Sequence, residues 1–555
     1  MSSYNLADLE QYKNPASSIK KMGDSSGLPM MRIATIIPDL QNDILRTMHT
    51  NGQNKVIDAL VEKAFLKLNG FAYRNRADRV VPLFVKGPPG QGKTTAFRIA
   101  SKNIADAMGV RLFINPTIID SPSETDIILV EATLAGLLSP TSLIGLPNTD
   151  NGVTVYVPPA RMKMLADSPL SIMVLDDLEN AVAGVKNAAM PAILDKLLLD
   201  FKLGDTCYVG ATGNLGNVDN TNTTMGSDAL FNRMKTLLGY DTLGDWLERA
   251  YNNSSYQDEI GLCFLDVFLI QNPNLFYPDR DSKTRGPTAT SRSYDGLLGT
   301  LRNEFGDYLD RMNAGLNPPS IEIGIKSKIH GQVGKEVAEK MNLFYHDVLS
   351  VAYPAAIEAM SEKRLSSDTR ELLYNLIAIK KDENSETVAR SFLRQVEQIA
   401  TSKIFNICNT KVDSNDEIAQ KRIKIELASV LQRFSEAMFS VGLVRGNKTD
   451  LIAYTVLHMA KNLISKSNAL PASERHFDFG HLNGHKLPVL SDVLVNALTT
   501  FASKVTMEKY GEGMYKVGGT DDKPITAVQT AIVDPLTQTS QIMKLQQEAI
   551  EAQMH

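Results

Sequence analysis

The spacing of apolar residues changes character part-way along this 555-residue chain, near Asp241. From Ile33 to Gly70 they recur mostly at helical spacing, and the run NKVIDALVEKAFLKLNG closes on Asn69-Gly70, a good helix stop. VVPLFVKG comes next as a β-rich run ending at a glycine, and TTAFRIASKNIADAMG then reads as a helix. Short apolar runs recur at VRLFINP, SIMVLDD and TCYVGATGN, with helical segments between them. Strands alternating with helices in this way predict an α/β domain built on a mostly parallel sheet. Beyond Asp241 the patterns turn long and helical, as in YDGLLGTLRNEFGDYLDRM and SETVARSFLRQVEQIATSKIF. The expected organisation is a loose polar leader (1–34), an α/β domain (35–240), a helical region (241–345), a further helical domain (346–464), a linker (465–488) and a C-terminal helical region (489–555).

Composition narrows this only a little. An apolar fraction of 43% with 22% charged residues is that of an ordinary soluble globular protein. A net charge of -5 carries no polybasic signal, so any nucleic-acid contact would need a local patch or channel. Cys207, Cys263 and Cys408 lie far apart without metal-ligand spacing, which fits buried thiols in a reducing compartment. With no apolar run of about 18 residues and a polar N-terminus, a cytoplasmic protein without membrane contact is expected.

The sharpest chemistry lies in VPLFVKGPPGQGKTTAF. Gly87, Gly90, Gly92, Lys93 and Thr94 fall in the spacing G-x-x-x-x-G-K-T, between a predicted strand and a predicted helix. The cradle Gly87, Pro88, Pro89, Gly90, Gln91, Gly92, Lys93, Thr94 and Thr95 would turn backbone N–H groups toward phosphates. Lys93 would reach the β- and γ-phosphates of ATP, and the Thr94 hydroxyl would ligate Mg²⁺. Further on, SIMVLDD puts Asp176 at a strand end, where it can hold the metal shell. TCYVGATGN ends in Asn214, placed to contact the γ-phosphate or the attacking water, and ALFNRM carries Arg233 in the position of an arginine lent to a neighbouring subunit.

In this order the motifs resemble those of AAA+ ATPases, and specifically of the MoxR branch. NTDNGVTVYVPPARMKML resembles that branch's hairpin, with Asn151-Gly152 as its turn. VLDDLENA, ATGNLGN and ALFNRM resemble its L-A-D-E-I-N-R-A, A-T-Q-N-P and Q-L-D-R-F, and GPTATSRSYDGLL resembles its sensor 2 segment, which makes Arg292 the cis arginine. The resemblance spans roughly residues 35 to 345 and implies an α/β P-loop AAA+ module with a β-hairpin insert, followed by an α-helical lid and a mainly α-helical C-terminal region. It departs from the family pattern at Asp177, where a glutamate is usual, at Glu179 and Asn180, where Asn and Arg are usual, and at Asn232, where an aspartate is usual.

The resemblance implies a ring of identical copies, a hexamer, hydrolysing ATP at subunit interfaces. Asp177 would orient the water, and a partner protein, for instance one with a von Willebrand factor A-like domain, would be remodelled. Two other readings stay open: a nucleic-acid motor or loader, and a structural ring that binds ATP with negligible turnover. His476, His481, His485 and Asp478 match no zinc spacing and read as a solvated loop, and the tail from Gln538 reads as a terminal helix.

Overall fold

Apolar runs too short for helices become strands. The computed structural model describes residues 12–74, 80–150, 152–219, 221, 233–252, 260–279, 286–313, 322–361, 366–379 and 383–409, with isolated positions between 418 and 459. The histidine cluster and the C-terminal tail lie outside the described residues. In chain order the strands are β1 (Met30–Arg32), β2 (Leu83–Lys86), β3 (Leu112–Ile114), β4 (Ile127–Thr133), β5 (Leu146–Asp150), β6 (Val153–Val157), β7 (Ser171–Asp176), β8 (Leu197–Leu198), β9 (Phe201–Lys202), β10 (Tyr208–Gly213) and β11 (Lys235–Tyr240). Seven form one sheet in the order β1-β11-β2-β10-β7-β4-β3, with every pairing parallel.

Helices cover both faces, so the strands are apolar throughout rather than alternating. Period-2 geometry still sorts their side chains. Ile172, Val174, Val85 and Leu129 join one core with the helices Ile33–Met48, Lys55–Asn69 and Lys93–Met108. Met173, Leu175, Phe84 and Val130 join a second core on the opposite face with Val185, Ala189 and Ile193 of the helix Ala183–Leu194. Cys207 is sealed in that second core, where burial pushes its thiol up to about 11, so it is inert.

The hairpin β5–β6 pairs Asp150 with Val153, leaving a two-residue connection in which Gly152 takes φ +77°. A shorter hairpin, β8–β9, precedes β10.

Two compact units emerge: residues 12–246 with 274–296, and residues 247–273 with those from 297 onward. Among the described residues the second unit is helical only, with Phe264, Phe268, Phe392 and Val396 buried in it. Its helices Ile260–Gln271 and Glu383–Asn409 are tied by a buried Arg394–Asp266 ion pair at 3.3 Å. No described helix is long and apolar enough to cross a membrane.

The expected leader, 1–34, is replaced in part by structure. A helix over Ser17–Ser26 ends on Gly27 at φ +65°, and β1 extends the sheet beside β11, so the first unit begins before residue 35. The helix buries only Ile19 among its apolar residues, which leaves no periodic signal in the sequence. β4 (IILVEAT) and β11 (KTLLGY) are further strands of the sheet, beyond the apolar runs that point to strands in the sequence. A short apolar run buried on both faces has no alternation to separate it from a buried helix turn.

Candidate functional site

Strand order assembles the site. β2, β10 and β7 are neighbours in the sheet although about 120 and 90 residues, respectively, separate β2 from the other two in sequence. Gly213 pairs with Lys86 and Ala211 with Leu175, so the C-terminal ends of the three strands align. β2 runs out into a phosphate-type loop, β10 into an asparagine and β7 into an acidic turn.

The loop after β2 needs its glycines. Gly90 and Gly92 sit at φ +78° and +77°, and a Cβ on Gly90 would lie 2.6 Å from Thr290 Oγ1. The helix Lys93–Met108 starts directly after Gly92 with no side-chain cap, so its first-turn N–H groups face outward to any anion. Lys93 Nζ donates to the carbonyls of Gly87 (2.8 Å) and Pro88 (2.9 Å) and to Asn214 Oδ1 (3.1 Å). The same asparagine donates through Nδ2 to Asp177 Oδ1 at 3.1 Å, which fixes its amide orientation because Lys93 can only donate. Beside this chain, Thr94 Oγ1 donates to Asp176 Oδ1 at 2.6 Å. The Thr212 hydroxyl donates to the same carboxylate and accepts the Asp177 N–H at 3.3 Å. Asp177 itself is held at φ +58°, a left-handed conformation that Asp and Asn tolerate better than most residues.

These contacts and the strand order settle the class of module. It is a P-loop α/β domain. No family model matches the chain, and no curated protein does either. Among solved structures, two variants of RuvB from Thermotoga maritima are similar at 15% identity and a TM-score of 0.26. One covers 59% of this chain and 77% of its own; the other covers 67% and 95%. Likeness at that level adds nothing to what the strand order and the loop already show.

Electrostatics centre on Lys93. Burial lowers its pKa to about 8, against the pull of Asp177, Asp219 and Asp176, while Arg292 pushes it further down. Below pH 8 Lys93 is charged and can hold phosphate; above it the proton leaves. A phosphate ligand favours the charged form, so affinity falls as pH rises through and beyond 8, by at most about tenfold per unit. A titration of nucleotide affinity from pH 7 to 9.5 is expected to show this decline in the wild-type chain, and a flat profile would contradict it.

The remaining expected residues take different places. Arg292 is exposed on the first turn of the helix Ser291–Asn313, and Ser291 Oγ donates to the Gly90 carbonyl at 2.9 Å, so this helix start abuts the loop. Arg233 is half-buried just before β11. Lys235 pairs with Leu83 and Leu238 with Lys86, so Arg233 enters at the far end of the sheet, roughly 16 Å of strand from the phosphate end. It cannot serve its own site. Pro89 and Thr95 are exposed.

Several contacts that hold these groups in place carry no signal in the sequence. Gln91 is fully buried, and its Oε1 accepts the Asp241 N–H at 2.8 Å, tying the loop to the end of β11. Asp219 is buried near Lys93, its carboxylate accepting the Leu215 N–H at 2.7 Å. Glu179 lies on the single helical turn Leu178–Asn180, where it is buried against Lys86. Asp219 belongs to no motif, and the partners of Gln91 and Glu179 are set by strand register rather than by sequence spacing.

Proposed function

We propose that this chain is an AAA+-class ATPase, MoxR-like, that hydrolyses ATP slowly within a ring of identical copies and so remodels a partner protein. The observation that carries the reading is the polar chain Lys93–Asn214–Asp177 lying beside the Thr94–Asp176 contact. Thr94 and Asp176 are hard oxygen donors of the kind Mg²⁺ takes, and they fit an ion that keeps most of its waters. Among the described residues no cluster of three acidic, histidine or cysteine side chains competes for a metal. Bound there with ATP, Mg²⁺ would supply charge neutralisation on the phosphates.

The protein's own groups do the rest. Lys93 brings positive charge to the phosphate end, and the open N–H groups at the helix start bind anionic oxygens. Asp177 spends Oδ1 on Asn214, which leaves its other oxygen to orient a water and draw its proton. An aspartate side chain is one methylene shorter than the glutamate common in the family, so turnover is slow.

The far-edge position of Arg233 favours action on a neighbouring copy's nucleotide, which makes turnover depend on assembly. Arg233→Ala is expected to lower turnover by ~10³ while leaving nucleotide binding intact. Mixing it with the Asp177→Asn chain should restore part of the activity, because some interfaces then pair an intact Arg233 with an intact Asp177. No recovery in the mixture would remove the in-trans role. The hairpin β5–β6, with Val153 and Val157 exposed, and the helical second unit are the surfaces proposed to meet the partner protein. Many-fold stimulation of turnover by DNA would replace this partner class with nucleic acid.

A further inference from the structure

A buried ion pair lies just behind the site, at the junction of its three segments. Lys86, the last residue of β2, donates from Nζ to Glu179 Oε1 at 2.7 Å, with the two side chains only 10% and 3% exposed. Glu179 belongs to the single helical turn that Asp177 begins, and the Asn180 N–H closes that turn on the Asp177 carbonyl at 3.0 Å. The carboxylate reaches Lys86 by passing over Gly213, the residue before Asn214. A Cβ on Gly213 would touch Glu179 Oε2 at 3.4 Å and clash with the Phe84 ring at 2.9 Å, so glycine lets strand, ring and carboxylate pack together. Gly213 in turn pairs with Lys86, and its carbonyl accepts the Gly87 N–H at 3.2 Å. The ion pair therefore ties the start of the phosphate loop to the turn bearing Asp177, and backbone pairing ties that loop start to the strand end bearing Asn214.

Stability alone is a poor reason for such a pair. Two well-packed apolar side chains of similar volume would serve a core as well or better, since both charges must be stripped of water. Burial pushes the Glu179 carboxyl up, and Lys86 works against that shift. What an ion pair supplies and apolar packing does not is a fixed direction. We infer that Lys86 and Glu179 are positioning residues, which lock the turn so that Asp177 stays in its left-handed conformation with its carboxylate aimed at Asn214 and the phosphate loop. The inference rests on the hydrolytic reading of Asp177, although the lock itself can be measured without turnover.

The test uses the full chain in three forms: Glu179→Gln, Lys86→Met, and the double Lys86→Met/Glu179→Met. Each single variant strands a buried group and can lose stability for that reason alone. The double variant removes both charges of the pair at once, so its melting temperature should recover much of what the single variants lose. Turnover should not return with it. In the double variant kcat is expected to stay ~10–100-fold down, as a misplaced catalytic group costs, with nucleotide affinity within about threefold of wild type. In the nucleotide-free protein, amides of residues 177–180 should exchange at least ~10-fold faster than in wild type, while those of the helix Lys93–Met108 keep their rates.

Recovery of turnover together with stability in the double variant would overturn the inference, because the pair would then be only part of the core. If the wild-type chain releases no phosphate, the functional reading fails separately and exchange alone decides the lock. Unchanged exchange at 177–180 would then overturn it.

Discussion

Replacing Lys93 with methionine is expected to weaken Mg·ATP binding by at least ~100-fold, about 2.7 kcal/mol, and to abolish turnover. Methionine keeps the length and apolar stem of the side chain but removes its charge and its donors. In the wild-type chain those donors go to the Gly87 and Pro88 carbonyls and to Asn214, the groups that shape the loop and its acidic neighbour. The loss falls on the ligand rather than on the fold, because burial already penalises the charged lysine: its pKa is down to about 8 from an ordinary 10.5. Between these two values the unfolded chain holds the proton more tightly than the folded one, so Lys93 subtracts stability below pH 8 and the penalty lifts as pH rises toward 10.5. Methionine carries no such penalty. Fluorescent-nucleotide titration with a thermal melt on the same samples checks both statements, and affinity within a few fold of wild type would contradict the role of Lys93.

The second large effect concerns Asp177. Asp177→Asn should lower turnover by ~10²–10³ and leave nucleotide affinity within about threefold. Asparagine is the substitution best tolerated at φ +58°, and its amide oxygen can still accept from Asn214, so the turn is kept while the carboxylate is lost. Only the ability to take a proton and orient water changes. Asp177→Glu is the complementary case. The longer side chain reaches roughly 1.5 Å further, and the rate is expected to equal or exceed that of wild type. Glutamate lacks aspartate's tolerance of the left-handed region, so about 1 kcal/mol of stability should be lost as well. Steady-state phosphate release read beside nucleotide affinity separates the two variants. An unchanged rate in the asparagine variant would remove Asp177 from the chemistry.

The residues that are legible in the sequence are those whose role is local. Gly87 to Thr95 announce themselves because the loop, its glycines and the helix start are consecutive, and the backbone geometry they need is set within a few residues. Asp176 and Asn214 are legible because an apolar strand leads into each. The partners that fix these groups are not legible, since they are made by register. Lys86 meets Glu179 only because β10 aligns Gly213 with Lys86 while β7 brings the acidic turn alongside. Gln91 meets Asp241 only because β11 runs beside β2. Buried strands such as β4 show no alternation, and β1 is three residues long, so periodicity has nothing to work on. Arg233 can be singled out by motif, but its distance from its own phosphate site is a consequence of strand direction.

Phosphate release by the purified full-length chain with Mg·ATP, followed as chain concentration is raised and compared with the Lys93→Met variant, tests hydrolysis at this site most directly. The expected result is a slow release that grows faster than in proportion to concentration and is absent from the variant. Binding of ATP with no release above the variant at any concentration would contradict it, and would leave a nucleotide-dependent structural ring in its place.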